Sequence, residues 1–135
     1  MQKIQLPCIS ERIRGFTLPE DGVFYVFDYD EMFKISLNPS PSVEVTDENP
    51  YSFEAGHPGY FGVSDREPIL NQGGRSVSYN FDPKRDFQAV LIRAGSNEDK
   101  ISFQTFSGDW FVATLTPDAA YLLVAEPYLI EVYVL

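Results

Sequence analysis

Three carboxylates lie within four consecutive residues near the start of the chain, at Asp28, Asp30 and Glu31, with Tyr29 between the first two. Carboxylates at alternate positions bind calcium in EF-hand loops, but that pattern also requires a glycine and a distal glutamate, which are missing here. Paired carboxylates also serve glycoside hydrolysis, but a chain with 20 acidic residues offers too many pairs for one to be distinctive. We therefore interpret this segment as a solvated turn and a candidate binding surface, without a metal.

The only histidine, His57, and the only cysteine, Cys8, limit the chemistry that the chain can carry. A zinc site built from cysteine and histidine needs more of both, so we expect neither a metal nor another cofactor. Cys8, His57 and Asp65 are the residue types of a nucleophile, a base and an orienting acid, but nothing in the local sequence marks Cys8 as activated. His57 stands in a Gly-His-Pro-Gly segment, which predicts a defined turn in a long loop, where function often resides.

Aromatic residues beside predicted loops indicate a second kind of site. Trp110 follows the turn at Ser107–Asp109, and Tyr60 follows His57 in the same long loop. An exposed tryptophan near tyrosines can stack on a sugar or anchor a partner, although such residues also pack in cores. These residues keep open the alternative of a small-molecule or carbohydrate-binding module.

The charge of the chain is strongly acidic and unevenly distributed. Twenty acidic and ten basic residues give a formal charge of −10, which repels phosphate backbones and argues against nucleic-acid binding. Between Phe16 and Asp65, ten acidic residues accompany a single base, Lys34. Such a surface favours solubility and steers encounters with basic partners. The single cysteine and the absence of a long apolar run predict a cytoplasmic protein without a membrane span.

Alternation of apolar and polar residues predicts most of the secondary structure. Period-two patterns predict strands at 42–46, 75–81 and 100–106, and two apolar runs predict further strands at 87–94 and 120–125. The runs 87–94 and 120–125 are apolar at successive positions, which predicts central strands covered on both faces. From Arg75 onward, short turns between these runs predict an antiparallel meander of about six strands.

The remaining segments predict little regular structure. A short helix is predicted over 9–16, with Ser10 as its N-cap and Gly15 as its stop. Prolines and glycines between residues 38 and 74 predict ordered loops and short edge strands. Residues 1–135 are therefore expected to form a single all-β domain. Its predicted architecture is an antiparallel sandwich or barrel of about 9–11 short strands, with a C-terminal meander and at most one short helix.

Two stretches near the ends of the chain repeat one plan. Residues 17–37 and 114–134 align without gaps at an offset of 97, each with a polar turn, a strand, a tight turn and a second strand. The second stretch resembles the inner hairpin of a β-propeller blade. A blade needs about 40–50 residues and at least four blades are usual, so the chain is too short for a closed propeller. We expect the two hairpins to occupy equivalent places in the fold.

Oligomerisation provides an alternative to the monomeric fold. Propeller-blade-like sheets could be assembled from several copies of the chain. The final run "YLIEVYVL" (128–135) is a strong strand, and at a sheet edge it would be able to pair with another copy. A homo-oligomer formed through strand edges is therefore one expectation.

The leading functional hypothesis is a non-enzymatic binding or regulatory protein. In this hypothesis an acidic β domain docks on a basic protein partner, in the manner of inhibitor or immunity proteins. Its candidate binding residues are Asp28, Tyr29, Asp30, Glu31, His57, Tyr60 and Trp110. A small-molecule or carbohydrate-binding module is the first alternative, and a small enzyme that uses His57 or paired carboxylates is the second.

Overall fold

The alternating segments fold as short antiparallel strands, because a strand places successive side chains on opposite faces and buries one of them. The computed structural model describes residues 1–7, 12–57, 59–64 and 66–135, and within these ranges it contains thirteen strands and one helix. The prediction of an all-β fold is confirmed. The strands form three antiparallel sheets and no closed barrel in the part of the chain that is described.

The elements follow one another along the chain and are divided among three sheets. In order, they are β1 (Gln2–Ile4), β2 (Gly15–Phe16), β3 (Val23–Phe27), β4 (Met32–Ser36), β5 (Ser42–Thr46), α1 (Pro50–Gly56), β6 (Phe61–Gly62), β7 (Asn71–Gln72), β8 (Arg75–Tyr79), β9 (Phe87–Ala94), β10 (Asn97–Gln104), β11 (Val112–Leu115), β12 (Tyr121–Glu126) and β13 (Leu129–Val134). The first sheet has the order β5-β4-β3-β2-β6, the second sheet β10-β9-β8-β7, and the central sheet β1-β13-β12-β11.

The central sheet lies between the other two sheets and is buried on both faces. Leu123 of β12 packs in one core with Phe24 of the first sheet. Its neighbour Leu122 packs in a second core with Val90 of the second sheet. Each leucine so buried contributes about 1.5–3 kcal/mol relative to an exposed one. The prediction that 120–125 is covered on both faces is confirmed, because alternate residues of β12 serve different cores.

The second sheet, by contrast, is covered on one face only. In β9, Val90 and Ile92 are buried, whereas Phe87, Ala89 and Arg93 are exposed. The prediction that 87–94 is covered on both faces is therefore wrong. The exposed face carries polar side chains as well as apolar ones, which keeps it compatible with water.

The region after Arg75 contains six strands, β8 to β13, but they do not form one meander. The chain leaves the second sheet after β10 and joins the central sheet at β11. The turn at Ser107–Asp109 falls at this change of sheet. Turn-forming residues occur between strands of one sheet and between strands of different sheets alike. The sequence pattern alone therefore did not show that β8–β10 and β11–β13 belong to different sheets.

The N-terminal strand β1 completes the sheet formed by the last strands of the chain. It pairs antiparallel with β13, with Ile4 opposite Val132 and Gln2 opposite Val134. On its other side β13 pairs with β12. The final strand is therefore interior, and the expectation that it could pair with another copy from a sheet edge is wrong. Pairing of copies through another edge remains a prediction.

The single described helix lies where loops and edge strands were predicted. α1 begins after Asn49, whose side chain accepts hydrogen bonds from the backbone nitrogens of Tyr51 (2.9 Å) and Ser52 (3.2 Å). Pro50 fits the first turn, where no amide hydrogen is needed. With seven residues, α1 has neither the length nor the apolar character to cross a bilayer, and no other helix occurs in the described ranges.

The predicted helix over 9–16 is wrong where it can be compared. Residues 9–11 lie outside the described residues, and Gly15–Phe16 form β2. Gly15 lies opposite Phe27 of β3 and Gly62 of β6. A Cβ atom at Gly15 would lie 2.4 Å from the Phe27 ring and 2.5 Å from the Tyr60 ring, so glycine at this position leaves room for these two rings.

The two similar hairpins, β3–β4 and β12–β13, do occupy equivalent places. Each supplies the second and third strands of its sheet, and the two hairpins face each other across one core. The ungapped alignment cannot hold for both strands of the hairpins, however. β3 and β4 are joined by four residues, between the pair Phe27 and Met32, whereas only two residues join Glu126 to Leu129. A shift of two residues leaves the same face apolar in a strand, so the sequence comparison did not register it.

Candidate functional site

Residues 12–14, directly before β2, lie between the two hairpin turns. The backbone nitrogen of Ile13 donates to the carbonyl of Pro127 (2.5 Å), in the turn of the central sheet. The next nitrogen, that of Arg14, donates to the carbonyl of Phe27 (2.8 Å), where the turn of the first sheet begins. Ile13 is buried in the core between these sheets. The flanking arginines are thereby held beside both turns.

Arg14 is only 6% exposed and lies among aromatic rings. Its guanidinium carbon lies 4.5 Å from the ring centre of Tyr51, 5.0 Å from that of Phe27 and 5.5 Å from that of Tyr29. It also forms an ion pair with Glu54 of α1. One guanidinium nitrogen, Nη2, has no hydrogen-bond acceptor among the described residues, and the surrounding ring faces supply electrostatic attraction instead.

Arg12 connects the turn between β3 and β4, which carries Tyr29, to the turn between β12 and β13, which carries Tyr128. Its Nη1 donates to the hydroxyl of Tyr128 (2.7 Å), and its guanidinium carbon lies 5.4 Å from the centre of that ring. Arg12 also pairs with Asp109. Hydrogen bonds with Tyr128, Asp109 and Tyr29 raise the pKa of the guanidinium, while burial lowers it. Arg12 is thus a fixed positive charge in contact with Tyr29 and Tyr128.

These contacts generate a continuous surface feature, in the order Tyr51, Arg14, Tyr29, Arg12, Tyr128, which we call the tyrosine–arginine row. Its tyrosines are 55%, 46% and 42% exposed, respectively. The three tyrosines lie in α1, in the turn between β3 and β4 and in the turn between β12 and β13. No local sequence pattern would group them. Tyrosines that are exposed yet held by neighbouring cations present their rings to solvent in a restricted set of positions.

The carboxylate cluster is divided between a structural role and an exposed one. Oδ1 of Asp28 accepts hydrogen bonds from the backbone nitrogens of Asp30 (2.8 Å) and Glu31 (2.6 Å), which fixes the turn. The side chains of Asp30 and Glu31 are exposed, and neither forms an ion pair with another described residue. Their charges stand beside Tyr29 and are available to a partner.

A buried glutamate holds the turn that carries Tyr128. Glu126 is fully buried, and its carboxylate accepts hydrogen bonds from the backbone nitrogens of Phe106 (2.6 Å), Ser107 (3.2 Å) and Tyr128. It therefore ties the turn after β12 to the loop between the second and central sheets. Three backbone donors compensate for the removal of this carboxylate from water.

Tyr29 and Trp110 share a cavity beside the row. The cavity has a volume of about 450 Å³ and is also lined by Arg12, Val63 and Asp109. Trp110 is half-buried and packs against the core between the first and central sheets. The cavity therefore places hydroxyl, guanidinium and carboxylate groups next to the aromatic rings of Tyr29 and Trp110.

His57 and Tyr60 lie on a different cavity, on the other side of the loop that contains β6. The Tyr60 hydroxyl donates to Glu54 (2.5 Å), whose second oxygen pairs with Arg14. The His57 ring stacks on Phe53 with ring centres 3.9 Å apart, and its Nδ1 lies 2.9 Å from the Phe53 carbonyl oxygen. Both residues line a cavity of about 560 Å³.

The seven predicted site residues therefore fall into two groups. The turn residues Asp28, Tyr29, Asp30 and Glu31 lie at the row together with Trp110, whereas His57 and Tyr60 lie at the larger cavity. Sequence reasoning missed Arg12, Arg14, Tyr51 and Tyr128. The alternate spacing of the two arginines was the one available signal, and it was interpreted as part of a helix.

The residues considered for catalysis have no catalytic arrangement where they are described. Nδ1 of His57 can only donate to a carbonyl oxygen, and no carboxylate among the described residues hydrogen-bonds the ring. Cys8 and Asp65, the other members of the hypothetical triad, lie outside the described residues. Within the described ranges, no group of three histidine, cysteine or acidic side chains is placed to hold a metal ion.

Comparisons with protein-family models, with curated proteins and with solved structures find no match to this chain.

Proposed function

We propose that this protein is a non-enzymatic binding protein whose tyrosine–arginine row docks on a basic protein partner. The observation that carries the proposal is the row itself: three exposed tyrosines from separate elements, fixed by two arginines. A surface that binds no partner would not require its tyrosines to be ordered in this way. Tyrosine and arginine are also the residue types enriched among the energetically dominant contacts of protein interfaces.

The fixed position of the tyrosines favours binding. A side chain that is ordered before association loses less conformational entropy when the partner arrives. Tyrosine offers a large contact area with only two side-chain torsions. Arg14 and Arg12 both contact Tyr29, so two cations restrain the tyrosine at the centre of the row.

The charges around the row favour a basic partner. Arg14 and Arg12 are paired with Glu54 and Asp109, so these four charges largely neutralise one another. The exposed carboxylates of Asp30 and Glu31 remain at the end of the turn. A lysine or arginine of the partner placed against them would gain attraction that weakens as salt rises.

Site-specific photo-crosslinking tests the proposal and identifies the partner. A benzophenone amino acid placed at position 29 should capture one basic polypeptide, less efficiently as salt rises. The same residue at position 102, on the exposed face of the second sheet, is the matched control and should not capture it.

Charge reversal distinguishes docking at the row from general attraction to an acidic protein. The double variant Asp30→Lys/Glu31→Lys should reduce capture roughly tenfold at low salt. The control Asp86→Lys/Asp99→Lys makes the same charge change at exposed positions of the second sheet. Equal loss in both variants, or equal capture from positions 29 and 102, would contradict docking at the row.

A second candidate function is a carbohydrate-binding module, which is favoured by the cavity shared by Tyr29 and Trp110. Aromatic rings that converge with hydrogen-bonding groups suit the apolar face and hydroxyls of a sugar ring. Trp110 is the only tryptophan, so its fluorescence reports this cavity directly. A saturable change with a simple sugar, lost in Tyr29→Ala, is the expected result. A linear, non-saturating response to every sugar would remove this candidate.

A further inference from the structure

One polar group within the tyrosine–arginine row lacks a partner. Nη2 of Arg14 is buried and has no hydrogen-bond acceptor among the described residues. The other two nitrogens of this guanidinium are engaged, Nη1 by Glu54 and Nε by the carbonyl of Asp28 (3.3 Å). A buried donor without an acceptor is destabilising, and native proteins leave few of them. In the middle of a proposed docking surface, such a donor points to an acceptor that the ligand supplies.

The rings that cover this donor belong to the exposed part of the row. The guanidinium carbon of Arg14 lies 4.5 Å from the ring centre of Tyr51, which is 55% exposed. This stacking holds the Tyr51 ring, because its hydroxyl forms no hydrogen bond with another described residue. Exposed side chains change rotamer within nanoseconds. Rotation of the Tyr51 ring therefore gives a ligand access to Nη2.

The surrounding charges select a neutral acceptor. Glu54 neutralises Arg14, and the exposed carboxylates of Asp30 and Glu31 add negative charge beside Tyr29. These groups repel a carboxylate or a phosphate, whereas a carbonyl oxygen carries no net charge. The main-chain carbonyls of a helix or a sheet are already bonded within the ligand. The row therefore suits a segment whose own main-chain carbonyls are free.

A polyproline II segment meets these requirements. Its carbonyls form no internal hydrogen bonds, and its turns of three residues repeat every ~9 Å. Because Arg14 lies 4.5 Å and 5.5 Å from the ring centres of Tyr51 and Tyr29, these two centres are separated by no more than the sum of these distances. That separation accommodates one turn of the segment. Aromatic-lined surfaces bind proline-rich segments in this conformation.

The other half of the row repeats the alternation of ring and cation. The guanidinium carbon of Arg12 lies 5.4 Å from the centre of the Tyr128 ring, and Arg12 also contacts Tyr29. Three rings separated by two cations offer two intervals for a ligand. A segment of about two turns, roughly six residues, is therefore long enough to cover the row.

We infer that the row binds a proline-rich, basic segment of its protein partner in the polyproline II conformation. A main-chain carbonyl of the segment accepts a hydrogen bond from Nη2 of Arg14, and its prolines pack on the three tyrosine rings. A lysine or arginine of the segment lies against Asp30 and Glu31. This inference rests on the docking function proposed for the row, to which it adds the conformation and the composition of the ligand.

Peptide titration tests the inference before the partner is known. The probe is the acetylated and amidated octapeptide PPKPPKPP, in which the three-residue turn places both lysines on one side. The control GGKGGKGG carries the same charge without the preformed conformation. In proton–nitrogen NMR spectra, the proline probe should produce saturable shifts at the residues of the row. Its affinity should be at least roughly tenfold higher than that of the glycine control, since less conformational entropy is lost.

Substitutions in the row locate the binding. Arg14→Lys keeps the charge opposite Glu54 and removes the Nη2 donor, so the affinity for the proline probe should fall about fivefold. Tyr51→Ala truncates an exposed ring and provides a second variant that does not alter the buried arginine; we expect a loss of roughly tenfold. The control Phe87→Ala truncates a ring that is 54% exposed on the second sheet, and it should leave the affinity unchanged.

The outcomes separate this inference from the docking function itself. Weaker binding of the proline probe to Arg14→Lys and Tyr51→Ala, but not to Phe87→Ala, supports the inference. No saturable shift with the proline probe, equal affinity for both probes, or unchanged affinity in a folded Arg14→Lys variant would overturn it. Capture of a basic polypeptide from position 29, together with failure of the proline probe, would retain the docking function and reject the polyproline II ligand. Thermal unfolding of each variant verifies that it is folded.

Discussion

At the scale of single residues, buried polar groups decide whether the turns keep their positions. Glu126 is a carboxylate with no exposure, and it connects two loops through three backbone donors. Sequence patterns place Glu126 at the end of an apolar strand but give no reason to expect it inside. Its role depends on donors about twenty residues away, at Phe106 and Ser107, which only the folded chain brings near.

Glu126→Ala is therefore expected to destabilise the protein by about 2–4 kcal/mol, because three backbone donors lose their acceptor and a fully buried side chain is removed. Urea unfolding followed by Trp110 fluorescence measures the change. Glu98→Ala, at an exposed ion pair with Arg93, is the control and should cost less than about 1 kcal/mol. Equal effects of the two substitutions would contradict the role assigned to Glu126.

Tyrosine ionisation predicts how stability changes at high pH. Burial, and secondarily the hydrogen bond to Glu131, raise the pKa of Tyr133, and burial raises that of Tyr79. The folded state then holds these protons more tightly than the unfolded state, where tyrosine titrates near 10. Their contribution to stability is complete below about pH 10 and is lost as pH rises above it. Tyr133→Phe should make the free energy of unfolding, measured by urea unfolding at each pH, fall less steeply between pH 10 and 11.5 than in the wild type.

At the scale of elements, the two hairpins share their strands and differ in their turns. Hydrophobic spacing predicted the strands well, because burial of one face dictates period two. It did not predict the turn lengths, since a two-residue difference leaves the apolar faces aligned. It also missed α1, whose capping signal at Asn49 and Pro50 lies in a segment dominated by turn-forming residues.

The extra length of the first turn is expected to be dispensable for folding. Replacing Asp28–Glu31 by Asn-Gly gives β3–β4 the two-residue turn length of β12–β13, with residues suited to a tight hairpin. We expect the backbone NMR spectrum of the strands to be retained and the affinity for the purified partner to be lost. A spectrum without dispersed strand signals would show that the four-residue turn is needed for the fold.

At the scale of the whole molecule, the central sheet joins both cores and is completed by the N-terminus. Ile4 of β1 packs against the core shared with the first sheet, and β1 covers the edge of β13. The sequence indicated an all-β chain with equivalent hairpins at its ends. It did not indicate which strands share a sheet, because pairing across 130 residues leaves no local pattern.

Deletion of residues 1–4 should therefore destabilise both halves together and expose the edge of β13. A single unfolding transition shifted to lower temperature, accompanied by self-association in analytical ultracentrifugation, is the expected result. A deletion that leaves the monomer and its melting temperature unchanged would contradict the importance given to β1. The substitution Lys3→Gln, which removes the ion pair with Glu131 and leaves β1 in place, serves as the milder comparison.

The affinity of the crosslinked partner tests the docking surface most directly. With that partner purified, dissociation constants are compared for the wild type, Tyr29→Ala and Ser102→Ala. Tyr29 is the centre of the row, so its truncation should weaken binding at least roughly tenfold, whereas Ser102→Ala should change it less than about twofold. Equal affinity of Tyr29→Ala and the wild type would show that the row does not dock the partner.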